Sequence, residues 1–109
     1  MNIIQLINSQ REVIGQIAWN SADDFQITIA DAGLAAGVNA FIKEACEAGL
    51  TLRSGEKVET EGKIRFVDRS ERITVSDKRF LRTLVDKINR VSFSGQRVFG
   101  LLNEEAHYA

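Results

Sequence analysis

The sequence predicts an α+β fold: a single antiparallel sheet with two helices on one face, in the order βββα-βββα-β. Three observations predict it. The stretches ITIAD (27–31) and ITVSD (73–77) each lead straight into an amphipathic segment. Period-2 and period-3.6 hydrophobic patterns alternate along the chain. Proline is absent, so the polar clusters NSQR (8–11), NSADD (20–24), SGEK (54–57), DRSE (68–71) and SFSG (92–95) must supply the turns.

The elements follow in order. The strand at 3–7, IIQLI, is apolar on both faces, so it is either central and covered or part of an interface. A second strand carries Gly15, Ile17 and Trp19. In the third, Phe25, Ile27 and Ile29 alternate with Gln26, Thr28 and Ala30, the pattern of a strand with one buried face. Leu34, Val38, Phe41, Ile42, Ala45 and Cys46 fall at helical spacing and predict a helix over 32–48, ended by Gly49 in the left-handed conformation. Short strands are then expected around Leu50 and Leu52, around Gly62, Ile64 and Phe66, and at 72–75. Phe80, Leu81, Leu84, Val85 and Ile88 stripe a second helix over about 77–90, and a final strand runs from 97 to 102.

The grammar is written twice. At an offset of 46, Ile27, Thr28, Asp31, Ile42 and Gly49 meet Ile73, Thr74, Asp77, Ile88 and Gly95. With one gap, Gly15, Ile17 and Trp19 meet Gly62, Ile64 and Phe66. The repeat-like halves are 1–48 and 49–95. Internal duplication about a pseudo-twofold axis is one origin for this echo. The general preference of strand-to-helix junctions for Asp and β-branched residues is the other, and Phe41 opposite Lys87 breaks the match.

With 109 residues, the chain 1–109 reads as a single domain with enough apolar content (44%) for a core of its own. One cysteine rules out an internal disulfide framework. No apolar run approaches the ~20 residues that span a bilayer. The N-terminus lacks both a basic n-region and a small-residue cleavage site, so a cytoplasmic location and no membrane partner are expected.

Little in the sequence carries chemistry. Asp31 and Asp77 open the two helices, where an Asp normally accepts free backbone N–H groups, so both read as caps rather than as an acid–base pair. DAGLAAG (31–37) follows a strand and opens a helix, but it lacks the GK[ST] of a phosphate loop, and Gly33 and Gly37 are not spaced as in a dinucleotide fingerprint. Cys46 belongs to the buried stripe of the first helix and His107 to the tail, which is no geometry for a dyad; one Cys and one His cannot fill a zinc shell. No catalytic, cofactor-binding or metal-binding residue is therefore assigned, no cofactor is implied, and a non-enzymatic protein is expected.

Charge is more informative. Residues 1–62 hold 4 basic and 9 acidic side chains, a net of −5, and residues 63–97 hold 10 basic and 4 acidic, a net of +6; Glu104 and Glu105 bring the total to −1. The segment 63–97 could neutralise phosphates, with Arg72, Lys78, Arg79, Arg82 and Arg90 as candidate nucleic-acid contacts. Against this, Asp86 stands four residues from both Arg82 and Arg90, a spacing that pairs charges along a helix face.

Three functions from different classes follow. The first is a small interaction module that self-associates, as a homodimer, through the helix-free sheet face or an edge strand. Two helices can cover only one face, which leaves Trp19, Val67, Phe99 and Leu101 as candidate self-association residues. The second is nucleic-acid binding through 63–97. The third is a small-ligand carrier with a pocket between the two halves; the ligand is not readable from the sequence.

Overall fold

The structure, a computed structural model, describes residues 2–103. It is a small α+β fold with two helices and antiparallel strands, and its element order is βββα-ββα-βββ. Strands β1 (Asn2–Ile7), β2 (Val13–Ser21) and β3 (Asp24–Ile29) form a meander. Helix α1 (Ala32–Ala48) leads into a long hairpin, β4 (Leu50–Thr60) and β5 (Lys63–Ile73). Helix α2 (Phe80–Ile88), a two-residue hairpin of β6 (Ser92–Phe93) and β7 (Gln96–Arg97), and β8 (Phe99–Asn103) complete the chain.

The expected single sheet is corrected to three. The main sheet has the order β3-β2-β1-β8, while β4–β5 and β6–β7 are separate two-stranded ribbons. The clusters SGEK and DRSE are not turns: Ser54 pairs with Arg69 and Gly55 with Asp68 in the middle of one unbroken ladder from Leu50↔Ile73 to Thr60↔Lys63. Turn-forming residues survive there because both faces of the ribbon meet water, so neither face has to alternate. The chain reverses instead at Glu61 and Gly62, whose φ values of 55° and 74° suit the twist of a two-residue hairpin turn. The fold therefore does not repeat the strand-strand-strand-helix unit. Ile17 and Trp19 are buried while their offset partners Ile64 and Phe66 stand in solvent.

Helix α1 begins and ends where its sequence dictates. The Asp31 carboxylate accepts the Leu34 N–H (3.0 Å), and Gly49, at φ 77°, donates its N–H to the Ala45 carbonyl (2.8 Å). Its stripe of Leu34, Val38, Ile42 and Ala45 is buried. Helix α2 is shorter than the 77–90 expected. Asp77 stands one turn ahead of it and accepts the N–H of Arg79 (2.8 Å), so it closes the preceding turn rather than capping the helix. The core lies between these helices and one face of the main sheet: Ile4 and Leu6 of β1 and Ile17 and Trp19 of β2 meet α1, Phe80, Leu84 and Ile88.

Two features shape what remains exposed. The β4–β5 ribbon leaves the core after Leu50 and Ile73 and reaches into solvent as an arm, so the molecule is 57 Å long. Its radius of gyration is 16.5 Å, against about 13 Å for a compact domain of this length. At its root, Arg72 donates to the Ala48 carbonyl (2.7 Å), and Arg79 grips Glu71 with two hydrogen bonds (3.0 and 2.7 Å). At the other side of the fold, the Gly100 N–H in edge strand β8 donates to the Asn89 side chain (2.7 Å), just past α2.

Candidate functional site

The face of the main sheet turned away from the helices carries no helix. Strand alternation and register define its occupants. Ile4 and Leu6 point into the core, so Ile3, Gln5 and Ile7 point outward, and their cross-strand partners Asn103, Leu101 and Phe99 in β8 point out with them. On β2, Gln16 and Ala18 lie opposite Gln5 and Ile3; on β3, Gln26 and Thr28 continue the surface. A register shift after Leu6 turns Val13 outward beside Ile7. Leu101 is 54% exposed and Val13 62%.

Among the described residues this face is nearly devoid of charge, in a chain of which 27% is charged. Asp24 stands at one corner, at the start of β3, held by the Asn20 amide (3.0 Å). Arg97, in the separate β6–β7 ribbon, has its guanidinium 5.5 Å from the centre of the Phe99 ring and donates to the Asn89 carbonyl at the end of α2 (2.6 Å). Apart from Asp24, the described side chains of this face are apolar or uncharged polar. Depletion of charge is the compositional mark of an interface core.

Of the four residues singled out from sequence, Phe99 and Leu101 lie on this face. Trp19 does not. It is 6% exposed, on the helix-covered side, stacked on Phe25 (centroids 5.3 Å apart) and tilted against Phe80 (6.1 Å). Its alternation with Ala18 assigns it to one face of β2, and the helices cover that face. Val67 is on the arm, half-buried, on the side that carries Leu50 and Ile73 at the root. Ile3, Ile7, Val13 and Asp24 were not singled out, although the two-sided apolar strand 3–7 was the signal for the first two.

The arm is a second exposed apolar surface. Ile64 (66% exposed) and Phe66 (74% exposed) share one side of it, with Lys57 above the Phe66 ring at 5.6 Å. Charges of both signs alternate along the ribbon, and Arg69 pairs with Glu56 (3.0 Å). Its tip carries Glu59 and Glu61 together with Lys57, Lys63 and Arg65, a mixture of both signs.

The five candidate nucleic-acid contacts come from several elements. Arg72 is at the arm root, Lys78 and Arg79 are in the turn before α2, Arg82 is on α2, and Arg90 lies beyond its end. Arg79 is committed to Glu71 and Asp77, and Arg90 contacts Asp86 at 3.3 Å. Hydrogen bonds to Arg79 hold the carboxyls of Glu71 and Asp77 below their ordinary range, and the two carboxylates raise the guanidinium in turn. Much of the basic segment is thus tied up within the fold.

The remaining sites are modest. Cys46 is half-buried in a groove of about 810 Å³ between α1, Phe25 and Val75, and burial, with Asp23 and Glu47 nearby, pushes its thiol pKa up. His107 lies outside the described residues. A cleft of about 610 Å³ is bounded by Asn8, Gln10, Val13, Ile14, Asp31 and Arg97, near the start of α1 rather than between two repeated halves. Among the described residues, no group of three His, Cys, Asp or Glu side chains is placed to hold a metal ion. Among the same residues, no helix is long and apolar enough to cross a membrane. No protein-family model, curated protein or solved structure matches the chain.

Proposed function

We propose that this chain is a self-associating interaction module, non-enzymatic, that uses the helix-free face of its main sheet as the contact surface. The observation that carries this reading is that, among the described residues, the outward positions of the four strands carry no charge apart from Asp24, and that Leu101 and Val13 are exposed there. A solvated sheet face ordinarily alternates apolar-in with charged or polar-out. Here four of the six outward positions of β1 and β8 are Ile3, Ile7, Phe99 and Leu101, which water solvates poorly, beside the uncharged Gln5 and Asn103. Pairing two such faces removes both from water.

The test is the mass of the protein in solution. Light scattering on a size-exclusion column at high micromolar concentration is expected to give twice the chain mass, and Leu101→Arg is expected to return it to one chain with an unchanged circular dichroism spectrum. Leu101 points to solvent in the single chain, so its replacement leaves the core intact. A wild-type mass of one chain at every concentration up to that range would overturn the proposal.

A further inference from the structure

We infer that the free edge of β4 is a separate self-association site: the arms of two copies pair antiparallel along it, centred on Val58, so that Lys57 of each meets the partner's Glu59. This surface lies on the arm, and the inference does not rest on the sheet-face reading. Among the described residues β5 is the only strand beside β4. A two-stranded ribbon is marginal in water by itself, and additional strands are what stabilise it. Lys57 and Glu59 are exposed, with Val58 half-buried between them.

The tip of the arm fixes which backbone groups are free. Glu61 and Gly62, both at positive φ, form a two-residue turn, which is closed by hydrogen bonds between its flanking residues, Thr60 and Lys63. Alternation then turns the N–H and C=O groups of Thr60, Val58 and Glu56 toward β5, and those of Glu59, Lys57 and Gly55 outward. The outward groups of Lys57 and Glu59 are therefore open to another strand, the usual template for strand addition.

Charge selects both the partner and the register. In a closed antiparallel pair of identical strands, the central residue faces its own copy, and residues equally far on either side of it face each other. Centring on Glu56, Lys57 or Glu59 sets that charge against itself. Centring on Gly55 sets Lys57 against the partner's Arg53, and centring on Thr60 sets Glu59 against the partner's Glu61. Centres nearer the root drive the partner's tip toward the body of the fold, where β4 touches α2. Val58 is the remaining centre. There Lys57 faces the partner's Glu59 twice over, with Glu56 opposite Thr60 and Gly55 opposite Glu61. Directly opposed unlike charges stabilise a sheet and like charges destabilise it. Edge charges commonly keep strands apart; the order Glu-Lys-Val-Glu repels in the neighbouring registers and attracts in this one. The contact is short beside the roughly 20–30 residues a side of a stable interface, so it is a weak one.

Disulfide trapping suits a weak contact. The central pair is of the non-hydrogen-bonded kind, with Cα atoms about 4.5 Å apart, within the range a disulfide spans. Val58→Cys is made in the full chain carrying Cys46→Ser, which leaves a single thiol, and Leu101→Arg, which removes the sheet-face contact. Arg65→Cys in the same chain is the control. Arg65 pairs with Val58 but sits on β5, so two copies would be roughly 14 Å apart across the paired arms and cannot bridge. Under air with a copper–phenanthroline catalyst, covalent dimer is expected at least about tenfold faster from Val58→Cys than from the control. Adding Lys57→Glu, which faces the partner's Glu59 with like charge, should slow trapping about fivefold, and Lys57→Glu with Glu59→Lys should restore it. The difference should fade at 1 M salt, where screening lengths shrink to about 3 Å. Equal rates for Val58→Cys and Arg65→Cys, or a charge swap that restores nothing, would overturn the pairing. Because Leu101→Arg is present throughout, these outcomes are independent of whether the sheet face associates.

Discussion

Two glycine-to-alanine substitutions should move stability in opposite directions. Gly15 lies in β2 where β3 passes close by. A Cβ there would sit 2.2 Å from the Thr28 carbonyl oxygen and 2.9 Å from a side-chain carbon of Ile29. Ordinary contact begins at 3.4 Å, so the β3 backbone must retreat by 3.4 − 2.2 = 1.2 Å. A ladder bond stretched by that much is lost. One or two lost bonds at ~0.5–1.5 kcal/mol each, with ~1–3 kcal/mol of overpacking, span about 1.5–6 kcal/mol, and the middle of that range is about 2–4 kcal/mol. At Gly37, inside α1, a Cβ would meet the Phe93 ring at 3.6 Å, an ordinary contact. There alanine removes the entropic penalty of a helical glycine and should stabilise by about 0.5–1 kcal/mol. Thermal unfolding followed by circular dichroism, at one protein concentration because association shifts the midpoint, should drop by roughly 10–20 °C for Gly15→Ala and rise by a few degrees for Gly37→Ala. A Gly15→Ala midpoint equal to wild type would refute the close approach of β2 and β3. A loss for Gly37→Ala would refute the packing of α1 on Phe93.

The two aspartates ahead of the helices should separate in a denaturant titration. Asp31→Ala removes a side-chain cap and should cost about 0.5–2 kcal/mol, whereas Asp77→Ala frees no amide within α2 and should cost less; equal losses would contradict the cap assignment. The Arg79 tie at the arm root predicts a pH dependence. Glu71 and Asp77 both have folded-state pKa values below their ordinary 4.5 and 3.8, so the tie is fully present above those values and is lost as pH falls beneath them. The stability gap between wild type and Arg79→Met, small because the groups are exposed, should therefore hold at neutral pH and narrow below pH 3.8. A gap that stays constant into acid would show that Arg79 acts by packing instead.

Helix α1 was legible to the residue because three independent signals agree: the Asp31 cap, the stripe from Leu34 to Ala45, and Gly49 at the end. The arm was not legible, and the reason is physical. A strand announces itself by alternation only when one face is buried, and most of the arm has two wet faces, so Gly55 and Asp68 looked like turn residues although they pair with each other. The Glu-Gly step at 61–62 was the available signal, since a tight hairpin turn needs positive φ at both central positions. The uncovered sheet face was half legible. Residues 3–7 declared two apolar sides, but alternation fixes which residues share a face and not which face the helices cover, so Trp19 was placed on the wrong side.

The bond from Gly100 to Asn89 bears on how far any assembly could grow. An outer strand with free amides invites another strand alongside, and repetition of that step builds a filament without end. At β8 the first such amide is already taken by a side chain anchored just beyond α2. A strand arriving from another molecule would have to displace Asn89 before making its first bond, leaving the amide of that side chain to find water. Contact through the flat of the sheet meets no such obstacle, and it is saturated after one partner. Asn89 thus acts as a stopper against lateral polymerisation, and its replacement by alanine is the change that would open this border to fibrous growth.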